Sequence, residues 1–151
     1  MSDDSAIMVF MVHSERGHRV LPHTADVILE AWGPDFASCC EEAVAALADV
    51  YVDAGRADMV ERRKVHLGAG SEESLLLEVL EEVIFTLDTA EAVPVRAAVT
   101  VADDAGFDVV LSLAERRTVT PTGSVPKAVS RSELVVDSQA TGVRCRFLVD
   151  V

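Results

Sequence analysis

Long hydrophobic runs, cysteine pairs and basic charge are what this sequence has least of. No apolar stretch among its 151 residues approaches the ~20 needed to cross a bilayer, so no transmembrane helix is expected. The opening, MSDDSAIMVFMVHSERGHR, places two aspartates ahead of a short apolar patch from Ala6 to Val12. It lacks the basic start and small-residue cleavage site of a secretory signal, so export is not expected. The three cysteines, Cys39, Cys40 and Cys145, are odd in number and show no CxxC spacing. A disulfide framework or zinc site is therefore not expected, and a cytoplasmic location is. Thirteen basic residues stand against twenty-six acidic ones, a formal charge of −13. Phosphate backbones are repelled over most of such a surface, which argues against strong direct nucleic-acid binding. A basic protein partner or a metal cation suits this charge, although excess acid also simply keeps a small protein soluble. A glycine-rich phosphate loop and a G-x-S-x-G elbow are both missing, and the histidines His13, His18 and His66 have no neighbours that suggest a triad.

What the sequence does have is apolar residues: they make up 50% of the chain, enough for one sizeable core. No repeat or low-complexity linker divides it, so we read a leader over 1–16, leaning to disorder around Ser2 to Ser5, and a single domain over 17–151. A strand runs from Val27 to Gly33. Pro34 and Asp35 then open a helix, with Asp35 placed to cap free N–H groups. Phe36, Cys40, Ala43, Val44, Leu47, Val50 and Tyr51 recur at helical spacing, and the helix ends near Gly55. The two cysteines inside it read as buried structural thiols. A short strand follows over VERRKVHLGA, Val60 to Ala69. Ser71 caps a second helix whose first turn carries Glu72 and Glu73, which suit the positive end of the helix dipole. Leu76, Leu80, Val83 and Leu87 form its apolar stripe, and Glu78, Glu81 and Glu82 its wet face. A hairpin follows: Val95 to Val101, a turn over Asp103-Asp104-Ala105-Gly106, and Phe107 to Leu113. PKAVSRSELVV and GVRCRFLVDV read as two more strands. The sum is an α+β fold, two helices on one face of a largely antiparallel sheet.

The stretch PHTADVILEAWG, Pro22 to Gly33, raises a chemical question. Asp26 is a poor strand former at the start of the first strong strand, and Asp150 stands at the end of the last. If those strands are antiparallel neighbours, the two carboxylates meet at one edge of the sheet, with the α-carboxylate of Val151 beside them. Three hard oxygen donors suit Ca²⁺, Mg²⁺ or Mn²⁺; the alternative is two solvated strand ends. His23 either orients Asp26, approaches a phosphate, or hydrogen-bonds a turn. Lys127, opening AVSRSELVV, is either a solvated charge or a local cation near the carboxylates.

HTADVILEAWG resembles the N-terminal signature of the archease family, small proteins that assist the RNA ligase of tRNA splicing and RNA repair. PDFASCCEEAVAAL and SLLLEVLEEVIFTLD are similar to the family's two helices, TPTGSVPKAVS to its lysine–alanine segment, and LVDV to its hydrophobic-Asp-hydrophobic ending. The likeness spans Gly17 to Val151. It implies a non-catalytic activator that promotes guanylylation of a histidine on the ligase by GTP. That ligase joins RNA ends bearing 3′-phosphate or 2′,3′-cyclic phosphate to 5′-hydroxyl ends. The resemblance also implies that Asp26, Asp150 and Val151 bind a divalent metal, and that Lys127 belongs to the functional surface. Two other readings are a chaperone-like modulator of RNA-modifying enzymes such as methyltransferases and, more distantly, a small metal-dependent phosphoesterase. The sequence departs from the family pattern at Ala114, Thr120 and Arg131, which bears on the partner surface and leaves the metal residues untouched.

Overall fold

The computed structural model describes residues 15–22, 26–53 and 57–151. The leader up to residue 14, His23 and Gly55 lie outside them. Strand β1 spans Gly17–Pro22 and β2 spans Asp26–Gly33. Helix α1, Phe36–Tyr51, runs straight into the two-residue strand β3, Val52–Asp53. Strand β4 is Met59–Leu67 and helix α2 is Glu72–Thr89. The hairpin β5, Val93–Val101, and β6, Phe107–Ala114, comes next. The chain ends with the short strands β7, Thr120–Pro121, and β8, Ala128–Val129, followed by β9, Val135–Gln139, and β10, Gly142–Asp150.

Every ladder among the described residues is antiparallel. The strands do not form one sheet. They divide into a five-stranded sheet ordered β1-β2-β10-β8, with β9 also on β10, a three-stranded sheet ordered β4-β6-β5, and the small pair β3-β7. Helix α1 packs against both β2 and β5 and so joins the two larger sheets. That position explains why its buried surface is broader than the stripe expected from its periodicity: Cys39, Ala46 and Ala48 are buried along with Cys40, Ala43, Val44 and Leu47. Small residues on the extra face let strand and helix backbones approach closely. Gly33 shows how close: a Cβ there would lie 3.0 Å from the backbone N of Cys39 and 2.3 Å from Ser38 Oγ.

The helix starts obey local chemistry. Asp35 accepts a hydrogen bond from Ser38 N at 2.8 Å, while Asp35 N donates to Ser38 Oγ at 3.2 Å, a reciprocal capping box. Ser71 accepts from Ser74 N at 3.1 Å at the start of α2. Asp35→Ala is expected to cost about 1 kcal/mol, read as a lower urea midpoint with an unchanged slope. The Ser38 hydrogen bonds hold the Asp35 carboxyl below its ordinary 3.8. Its contribution is therefore complete above that value and fades as pH falls through the lower folded one.

The segment expected as one strand over 126–136 is two. Between β8 and β9 the chain makes a 3-10 turn over Arg131–Glu133, closed by Glu133 N donating to Ser130 O at 3.3 Å. Both halves still pair with β10, so the turn is an excursion along one sheet edge. The three cysteines are free and buried. Cys39 Sγ lies 3.6 Å from the Ala31 carbonyl it faces, and burial raises the Cys40 thiol pKa.

Candidate functional site

The site begins with register. Strands β2 and β10 pair with Val27 opposite Val149, Leu29 opposite Phe147 and Asp26 opposite Asp150. Residues directly opposite in an antiparallel ladder project to the same face. Valine, leucine and phenylalanine at odd positions face the core, where Leu29, Phe147 and Val149 are fully buried. The even positions, including both aspartates, therefore take the outer face. On the other side of β10, Asp150 lies opposite Ala128, and Lys127 N donates to the Asp150 carbonyl at 2.8 Å. Three strand ends thus converge: the start of β2, the finish of β10 and the start of β8. Val151 follows directly and is half-buried against the core.

Asp26 is half-buried and Asp150 exposed. Like charges directly opposite on a sheet destabilise by a few tenths to about 1 kcal/mol. Among the described residues neither carboxylate has an ion-pair partner. The next basic row on that face holds Arg146, already 3.7 Å from Glu30, with Arg19 on Glu30's other oxygen at 3.6 Å. Four residues along the strand is about 13 Å, beyond the ~8 Å Debye length of physiological salt. Among the described residues the pair therefore presents hard oxygens without an ion-pair partner at an open strand end, with Lys127 the adjacent cation. Those donors, with a backbone oxygen of Val151 beside them, would fit Ca²⁺, Mg²⁺ or Mn²⁺ with water completing the shell. No group of three or more His, Cys, Asp or Glu side chains with metal-binding geometry occurs among the described residues, so a site built from these residues alone needs a backbone oxygen or water.

Lys127 is exposed and lines a groove of about 200 Å³ with Glu81, Ile84, Phe85, Ala128 and Val129. Phe85 is 60% exposed. Sequence reading passed over it, although an aromatic residue four positions after Glu81, on an otherwise acidic helix face, was a signal available there. Arg131 is exposed on the 3-10 turn between β8 and β9, and Thr120 pairs with Asp53 in β7 and β3.

Two histidines that looked isolated in the sequence are engaged. His18 lies 2.8 Å from Glu42 and 3.0 Å from Asp49, both on α1, and Arg16 joins the same helix face through Glu41 and Glu42. His66 lies 2.8 Å from both Asp108 and Asp104. These hydrogen bonds raise the His66 pKa above its ordinary 6.5. Its contribution to stability is thus complete below 6.5 and is lost as pH rises through the higher folded value. Histidine NMR resonances should show His66 titrating above 6.5, with Asp108→Asn moving it back down.

The fold and these strand ends define a class: a small α+β protein that carries an open pair of acidic strand ends at its surface. Residues 18–151 match the model of the Archease protein family (MTH1598/TM1083). The chain belongs to the archease family. It is 39% identical over 135 residues to the "Probable protein archease" of Mycobacterium tuberculosis strain H37Rv, covering 89% of this chain and 75% of that one. It is 29% identical over 132 residues to the "Protein archease" of Thermoplasma volcanium, covering 86% and 97%. The crystal structure of an archease from Thermotoga maritima, described as a possible chaperone, superposes with a TM-score of 0.64 at 17% identity, over 88% of this chain and 96% of that one. The solution structure of protein 1598 of Methanobacterium thermoautotrophicum gives 0.62 at 20% identity, over 89% and 99%. At these identities the two structures establish the shared α+β fold.

Proposed function

We propose that this chain is a non-catalytic, cytoplasmic activator of a GTP-dependent RNA ligase in tRNA splicing or RNA repair, and that it works through a divalent metal. Asp26, Asp150 and a backbone oxygen of Val151 would hold Ca²⁺, Mg²⁺ or Mn²⁺, while Lys127 and His23 would meet the ligase or a nucleotide phosphate. The observation that carries this reading is the register pairing of Asp26 with Asp150, supported by family membership. A divalent cation would supply the charge neutralisation on which nucleotidyl transfer depends. The chain's own part is to gather the oxygens at converging strand ends, leave them without an ion pair among the described residues, and present them beside Lys127 and its groove. The test is ligase guanylylation by radiolabelled GTP, with and without this protein, at limiting metal. Faster covalent GMP attachment is the expected result, and an unchanged rate removes the proposal.

A second reading, chaperone-like assistance to RNA-modifying enzymes, rests on the description of the Thermotoga maritima relative as a possible chaperone. It predicts less client aggregation with no change in GMP attachment.

A further inference from the structure

The outer face of the three-stranded sheet runs against the charge of the whole molecule. In its first row Arg62 of β4, Ser112 of β6 and Arg96 of β5 stand opposite one another. The second row is Lys64, Val110 and Ala98. Arg62, Lys64 and Arg96 are all exposed. None of the three side chains has an ion pair or hydrogen bond among the described residues, and no acid stands in either row. In the third row, His66, Asp108 and Thr100, the one acid is held by His66. Strand spacing puts the two arginine Cα atoms about 10 Å apart and Lys64 about 7 Å from Arg62. A chain of −13 has thus left a compact triangle of free cations on one open sheet face.

Edge protection explains part of this, because β4 is an edge strand and charged side chains there block sheet-to-sheet pairing. It does not explain Arg96, which lies two strands away on β5. There the edge is already covered by α1, with Val99 N donating to Glu41 Oε2 at 2.9 Å. Nor does the face suit a protein partner. Between the cations it offers Val110, Ala98 and Ser112, with no aromatic or large aliphatic anchor of the kind that carries protein interfaces. What remains is a set of donors: two planar guanidinium forks suited to phosphate oxygens, an ammonium, and the Ser112 hydroxyl.

We propose that this face is an accessory contact for the phosphate backbone of RNA, separate from the Asp26–Asp150 site. Three cations without a stacking aromatic give binding that is weak, sequence-independent and steeply salt-dependent. This agrees with an overall charge that opposes tight nucleic-acid binding.

The test is a titration of isotope-labelled full chain with a short single-stranded oligoribonucleotide, followed by amide shifts at low ionic strength in EDTA. Shifts should map to β4, β5 and β6. Three phosphate contacts give a slope of about −2 in log K against log salt, or roughly a 16-fold loss between 50 and 200 mM. Arg62→Ala with Arg96→Ala, both exposed positions, should leave the spectrum folded and reduce the slope to about −0.7. Asp26→Asn should leave the RNA shifts unchanged, so failure here and failure of the metal reading are separable. The proposal is overturned by any of four results: no shifts at low salt; shifts abolished by Arg144→Ala with Arg146→Ala on the other sheet; equal competition by a glutamate-rich peptide; or shifts that track self-association of the chain.

Discussion

Asp26→Asn is expected to abolish metal-induced stabilisation and ligase activation together, while the protein stays folded. The sign of the effect depends on conditions. In EDTA the variant loses a like-charge pair opposite Asp150 and should be as stable as the parent or more so, by up to about 1 kcal/mol. With metal at about a hundred times its dissociation constant, the parent gains about 2.7 kcal/mol and the variant gains nothing. Thermal melts with and without Ca²⁺, Mg²⁺ or Mn²⁺ read this difference directly, and the guanylylation assay reads the functional half. A variant that is destabilised in EDTA would mean that Asp26 is structural. A variant that keeps full metal stabilisation would remove Asp26 from the ligand set. Asp150→Asn should behave alike, because the two carboxylates are register partners.

Phe147→Ala should produce the largest loss of stability, about 3–5 kcal/mol. Phe147 is fully buried and stands opposite Leu29, itself fully buried, between the outer positions that lead to Asp150. Truncation removes an aromatic ring from the layer where β2, β10 and α1 meet, and a rigid strand pair collapses only partly around the void. Against a typical stability of about 5–15 kcal/mol, that brings the fold near its limit. Chemical denaturation should show a much lower midpoint. A loss under about 1 kcal/mol would mean that this layer repacks freely. The link to function is positional, since the buried odd residues of β10 set the phase that turns Asp150 outward.

Legibility in the sequence divides along the distance between interacting residues. Both helices were legible because their signals are local: Asp35 and Ser71 as caps, apolar residues every three to four positions, and Glu72 and Glu73 in a first turn. The β5–β6 hairpin was legible from alternation around Asp103–Gly106. Strand β1 was not, because GHRVLP carries little apolar pattern of its own; its place depends on pairing with β2 and on Arg16 and His18 reaching α1. The two-residue strands β3 and β7 exist by mutual pairing across the chain. The break at Ser130 was hidden for the same reason, since its N–H donates to Leu148 O at 2.9 Å, a partner no local pattern announces.

The candidate residues divide the same way. Asp26, Asp150 and Lys127 could be picked out one at a time as polar residues at strand ends, yet their meeting depended on strand order, which is a property of the whole sheet. His18, His66 and the Arg62–Lys64–Arg96 face were missed because each needs partners more than twenty residues away. By itself the sequence determined the two helices with their caps and the β5–β6 hairpin, because a helix or strand period is written in neighbouring residues. Only the tertiary structure decided which strands lie side by side, and therefore which charges face each other. Loop-closure entropy and core packing choose among pairings that local patterns leave equivalent.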